Sequence, residues 1–144
     1  MTPDLLTLAA FVVALPGWRW MPGMLTTDGD RVHDAIQMLD GRWHLHMTSG
    51  VTITNARNEH DGWCRVLYSP VHEREVIHPS DAPLPDLDDA ATGGCMLAML
   101  GRCEVYMFAH SVEVHHISTA AVGHGATLAE SCARVALARG MWSS

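Results

Sequence analysis

At 144 residues, with 48% hydrophobic and 17% charged side chains, the chain has the length and balance of one globular domain rather than of a disordered segment. A formal net charge of -7 argues against a DNA binder, because phosphate backbones call for basic patches. All nine basic residues are arginine. Codon bias explains that usage, yet arginine forks also suit a small phosphate ligand held locally.

The chain opens on a helix start. Thr2 is the cap, Pro3 takes the first helical position and Asp4 adds an acid to the first turn. Leu5 to Leu15 is apolar except for Thr7, and Pro16-Gly17 ends the run. It is too short for a bilayer, which needs about 20 residues, so no membrane partner is expected. Asp4 also spoils a secretory n-region, and a cytoplasmic protein is expected. So continuous an apolar surface reads as a core helix or as a seat for self-association, and a homo-oligomer is expected.

Trp18-Arg19-Trp20 follows, with Met21-Pro22-Gly23-Met24 behind it. The patch reads either as a lid on the core or as an aromatic platform for a flat ligand, with Arg19 near an anion. An antiparallel sheet comes next. Asp28-Gly29 and Asp40-Gly41 are turn dipeptides, the second a type I′ hairpin signal. Beyond it Trp43, Leu45 and Met47 face one side, while Arg42, His44, His46 and Thr48 face the other. Val51 and Ile53 against Thr52 and Thr54 continue that alternation; Asn58 to Gly62 reads as a turn and Trp63 to Tyr68 as a strand. Pro70 to Pro85 reads as a loop or edge segment and as the joint between the halves.

The second half is the most legible. Asp86 is expected to cap a helix with Ala90, Ala91, Gly94, Leu97 and Ala98 on one face, the turn from Cys95 to Leu100 to be buried on several sides, and Gly101 to stop it. Gly93-Gly94 implies close approach of a neighbouring backbone. Glu104–Ala109 and Val112–Ile117 have strand composition. Gly123-His124-Gly125 reads as a loop before a capping box at Thr127-Leu128-Ala129-Glu130. Leu128, Cys132, Val135 and Ala136 form the expected stripe of that last helix, which Gly140 ends. The fold class expected is α+β: one domain over 1–144, with a helix and antiparallel strands over 1–69 and a helix-strand-strand-helix unit over 85–140.

Ten histidines invite a search for chemistry. His44 and His46 share a strand face that could grip a metal, with His60, His115 or His116 as a third ligand, or they are simply exposed strand histidines. No HExxH or other metal spacing is present, so neither metal nor cofactor is expected. Cys64, Cys95, Cys103 and Cys132 show no CxxC and read as free thiols in a reducing compartment. His46-Met47-Thr48 and His116-Ile117-Ser118 resemble the paired H-x-[S/T] signature of the two-histidine phosphoesterases. That resemblance implies His46 and His116 as base and acid and Thr48 and Ser118 as phosphate ligands. Ser49 and Thr119 stand where that family shows an apolar residue, and no duplicated βαβ arrangement flanks the motifs.

A second resemblance rests on Trp18 to Met24, on Pro85-Asp86-Leu87 through Ala90, Thr92, Gly94, Cys95 and Leu97, and on Gly125 to Glu130. Together these are similar to a set of small uncharacterised tailed-phage proteins, and the second half is similar in plan to phage α-β-β-α sandwich domains. The histidine content and the bulk between Val32 and Tyr68 depart from that set. The resemblance implies a cytoplasmic phage accessory protein with no catalytic residues to carry over. The function expected is sequestration of a small nucleotide-like signal, or of a host factor, against host antiviral defence. Trp18, Arg19, Trp20, Arg42, His44 and His46 are the expected ligand-binding residues. A phosphoesterase acting on a cyclic nucleotide and a non-catalytic assembly module are the alternatives.

Overall fold

The computed structural model describes residues 1–56 and 62–143. The expected turn at Asn58 and the candidate ligand His60 lie outside the described residues. The chain is α+β, as expected, and divides into two compact units: Met1–Arg19 with Leu84–Ser144, and Trp20–Pro83. The boundary at Pro83 falls inside the predicted joint.

The first unit contains three helices, α1 (Pro3–Val13), α2 (Ala90–Leu100) and α3 (Leu128–Arg139). Thr2 Oγ1 accepts from the Leu5 amide at 3.3 Å, which caps α1 as its sequence predicts. The helix does not join the strands that follow it. Leu8, Ala9 and Val12 are buried, and α1 packs on α3; the Trp142 indole donates to the Val12 carbonyl at 2.7 Å.

α2 begins later than its first aspartate suggests. Asp89, not Asp86, is the cap: its Oδ2 accepts from both the Thr92 amide and the Thr92 hydroxyl, each at 2.9 Å. Asp86 instead accepts from the Asp88 amide, an Asx turn leading into the helix. The buried face is Thr92, Gly93, Met96, Met99 and Leu100, turned away from the stripe expected from Ala90, Ala91, Gly94, Leu97 and Ala98. The cause is Gly93. A Cβ there would lie 2.9 Å from the Ala129 amide nitrogen and 3.1 Å from Leu128 Cβ, so α3 presses against this position and sets the rotation of α2. Gly94 has nothing within 4 Å.

Between α2 and α3 lies a three-stranded antiparallel sheet, β6 (Cys103–Met107), β7 (Val112–His116) and β8 (Val122–Gly125), in that order. Gly123-His124-Gly125 is thus a strand and not the expected loop. Glycine is a poor strand former by composition. Here the alternation places both glycines under α3: a Cβ on Gly123 would sit 2.0 Å from the Ser131 carbonyl oxygen, and one on Gly125 2.6 Å from Glu130 Cδ. α3 is capped by Thr127, whose Oγ1 accepts from the Glu130 amide at 3.1 Å and donates to the Leu87 carbonyl. Its buried side chains are Ala129, Ser131, Cys132, Ala133, Val135 and Ala136, while Leu128 is only half-buried. Gly140 ends it in the left-handed conformation at φ 74°.

The second unit is a five-stranded antiparallel meander with neighbours in chain order: β1 (Val32–Gln37), β2 (Trp43–Met47), β3 (Thr52–Ala56), β4 (Gly62–Ser69) and β5 (Arg74–Ser80). β5 occupies the segment read as loop or edge, and it is an edge strand. One device recurs in the turns. Gly29, Gly41 and Gly50 each close a three-residue loop with φ of 86°, 88° and 89°. At Asp40-Gly41, Met38 N donates to Arg42 O and Gly41 N to Met38 O, while Asp40 keeps a negative φ. That is a three-residue loop with a left-handed glycine, not type I′, which needs positive φ at two successive residues. Val32, Leu45, Met47, Val51 and Ile53 are buried on one face, as the alternation predicts, and Arg65 pairs with Asp30 there at 2.8 Å.

Candidate functional site

The other face of the five-stranded sheet gathers three of the six side chains expected to bind a ligand. Period-two geometry places His44 and His46 of β2, with Arg42 just before the strand, together on it. Antiparallel register sets His44 opposite Thr54 and His46 opposite Thr52 on β3, with Cys64 of β4 beyond Thr54. His46 Nδ1 lies 3.3 Å from Thr52 Oγ1. The His46 side is exposed, and Arg42, His44 and Thr52 are half-buried. Arg42 is anchored at the strand entry, where its Nε donates to Asp40 Oδ2 at 2.7 Å. Thr54 is 7% exposed, and its hydroxyl has no hydrogen-bond partner among the described residues. A buried hydroxyl without a partner costs about 1–3 kcal/mol, so it is a costly group to leave in a sheet. The threonines on β3 were visible as alternation. Their pairing with the histidines needed the register.

The tryptophan segment is different. Trp18 stacks against Trp142, ring centroids 5.4 Å apart and tilted by 59°. Trp20 is only 5% exposed, so it offers no open ring face. Trp18 and Arg19 fall in the first unit, whereas Trp20, Arg42, His44 and His46 fall in the second. Trp20 is therefore part of the buried structure, whereas Trp18 is half-buried and Arg19 exposed.

Neither H-x-[S/T] tripeptide keeps the geometry its chemistry requires. β2 ends at Met47, so Thr48 lies in the hairpin loop and the hydroxyl nearest His46 is Thr52. β7 ends at His116, and Ser118 lies in the following turn. His116 is buried, with Nε2 3.0 Å from the Leu100 carbonyl and Nδ1 2.8 Å from Thr119 Oγ1. Because a carbonyl can only accept, Nε2 carries the proton and Nδ1 accepts from Thr119, whose amide also points at it from 3.3 Å. Both nitrogens are engaged within the unit, and neither is presented to a substrate.

One constellation escaped sequence reading. On the face of the three-stranded sheet turned away from the helices, the Tyr106 hydroxyl donates to Glu104 Oε2 at 2.6 Å and His115 Nε2 lies 3.1 Å from Glu113 Oε1. The Tyr106 and His115 rings meet edge to face at 4.9 Å. The Glu104 hydrogen bond and its charge push the Tyr106 phenol above its usual range. No signal short of the β6–β7 register could have joined these residues.

Among the described residues no group of three or more histidines, cysteines or carboxylates could hold a metal ion. All four cysteines are free. Burial pushes the Cys132 thiol up to about 12 and raises Cys103 as well, which makes both poor nucleophiles. No helix among the described residues is long and apolar enough to cross a membrane. Comparison with known proteins adds no relative: no family model, curated protein or solved structure matches the chain. The resemblance to small tailed-phage proteins rests on its motif residues alone.

Proposed function

We propose that the chain is a non-catalytic binding protein that holds a small anionic, nucleotide-like ligand on the β2–β3 face of its five-stranded sheet. One observation carries this reading. The register of β2 against β3 collects His44, His46, Thr52 and Thr54 on one face, with Arg42 just before β2 on the same side and the Thr54 hydroxyl without a partner among the described residues. An arginine fork, two imidazoles and two hydroxyls are the donors that phosphate oxygens and base edges use. The engagement of both His116 nitrogens supports binding over turnover. The resemblance to tailed-phage proteins supports the narrower role, sequestration of a signalling nucleotide in host antiviral defence.

Calorimetric titration with mononucleotides, cyclic dinucleotides and cyclic oligonucleotides tests the proposal. One class is expected to bind and to be recovered intact after the protein is denatured. Arg42→Ala and His44→Ala are each expected to weaken it about 10-fold or more, the loss of a charge-assisted hydrogen bond. Failure of every class to bind, or binding untouched by both substitutions, removes the reading. Chemically altered ligand after release would replace it with an enzyme.

A further inference from the structure

Among the described residues the two sheets have four edges, and three of them are blunted. β1 carries a register break between Val32 and Asp34; β5 carries Arg74, Glu75 and Pro79; β8 is four residues long with two glycines. Bulges, charges, proline and shortness are the usual devices that stop an edge from pairing. β6 has none of these devices except Glu104. It reads Cys-Glu-Val-Tyr-Met and continues into Phe108, a run of high strand propensity with one hydrogen-bonded neighbour, β7.

Its hydrogen bonds show which groups are free. Ile117 N donates to Arg102 O, and Phe108 N donates to Ser111 O, so the even-numbered residues of β6 point their main chain at β7. The amides and carbonyls of Cys103, Val105 and Met107 therefore point out of the sheet edge. Their side chains lie on the helix side, opposite the buried His116, Val114 and Val112. α3 covers β7 and β8 but does not pack on β6 to the same extent, so Val105 remains 36% and Met107 71% exposed.

We propose that two copies of the chain pair through β6, antiparallel about a twofold axis at Val105, to run their three-stranded sheets into one. This register alone matches the whole of β6 to itself. Val105 meets its own copy and Cys103 meets Met107, each as a pair that exchanges both main-chain bonds. The uncovered apolar side chains then cover each other. On the opposite face Glu104 stands across from the partner copy's tyrosine at 106, an acceptor against a hydroxyl, and Arg102 across from its phenylalanine at 108. A shift of the axis to Glu104 would instead oppose two carboxylates, which destabilises a sheet. A second copy is the occupant because the strand is self-complementary in this way.

Sedimentation of the full chain tests the proposal. The wild type is expected to be a dimer at micromolar concentration. Val105→Glu and Val105→Lys are each expected to be monomers with unchanged circular dichroism, because each places like charges across the axis. Mixing the two is expected to restore a dimer, since Glu then faces Lys. Should Val105→Glu not fold, Met107→Glu at the more exposed position is expected to give monomers in its place. Phe11→Ser on the exposed side of α1 is expected to leave the dimer intact. A monomeric wild type, a dimer that survives the charged variants, a mixture that stays monomeric, or loss of the dimer in Phe11→Ser overturns the proposal.

Discussion

Gly123 lies directly beneath Ser131: a Cβ on the glycine would come within 2.0 Å of the serine carbonyl oxygen. The first turns of α3 therefore rest on the backbone of β8. Because the obstacle is main chain, it cannot step aside as a flexible side chain would. Gly123→Ala is expected to destabilise the protein by about 3 kcal/mol or more, at or above the upper end for overpacking. Urea denaturation reads the loss, and an unchanged midpoint would show that α3 can lift off β8 without cost.

Gly93 and Gly94 make a matched pair for the same question. Gly93→Ala meets the Ala129 amide and is expected to destabilise, whereas Gly94→Ala meets nothing within 4 Å. In an exposed helix interior alanine is favoured over glycine by about 1 kcal/mol, so Gly94→Ala is expected to stabilise. Melting curves of the two variants should move in opposite directions.

Thr54→Val removes a buried hydroxyl that has no partner among the described residues while keeping the side chain's shape. The free protein is expected to gain about 1 kcal/mol, because a desolvated orphan donor is more costly than a methyl. Nucleotide affinity is expected to fall at the same time. Gain of stability with unchanged affinity would separate Thr54 from the binding face.

His116 is expected to behave as a structural residue. His116→Ala removes the partner of the Leu100 carbonyl and opens a cavity beside Cys103. A loss of about 2–4 kcal/mol is expected, with nucleotide affinity retained at temperatures where the variant is folded. Loss of binding in a folded variant would return His116 to the functional site.

The pH dependence has a definite sign. Burial raises the Cys132 thiol to about 12 in the folded chain, whereas an unfolded thiol titrates near 8.5. Below that lower value the thiol is protonated in both states and its contribution is complete. Above it only the unfolded chain ionises, so stability falls as pH rises towards 12, by roughly 1 kcal/mol per pH unit. Cys132→Ala should flatten that alkaline limb of a denaturation series and leave the neutral region offset by a constant amount.

What the sequence determined by itself is what neighbouring residues decide among themselves. Thr2 and Thr127 cap helices because their hydroxyls reach amides three residues on. Gly41 and Gly140 take positive φ because only glycine does so freely. Leu45 and Met47 face away from His44 and His46 because a strand alternates. The assignment to α+β follows from such local rules. Contacts between distant segments decided the rest. The rotation of α2 depends on the Ala129 backbone pressing on Gly93, and β8 is a strand because α3 can rest on two glycines. α1 sits with the C-terminal residues because Trp142 reaches Val12. The candidate site divides in the same way: Arg42, His44 and His46 were legible from alternation, but Thr52 and Thr54 joined them only through the β2–β3 register. His116 carried a phosphoesterase pattern in the sequence and a core histidine's bonds in the fold. A tripeptide names the side chains, but burial and the partners on the next strand determine which of their atoms are left to act.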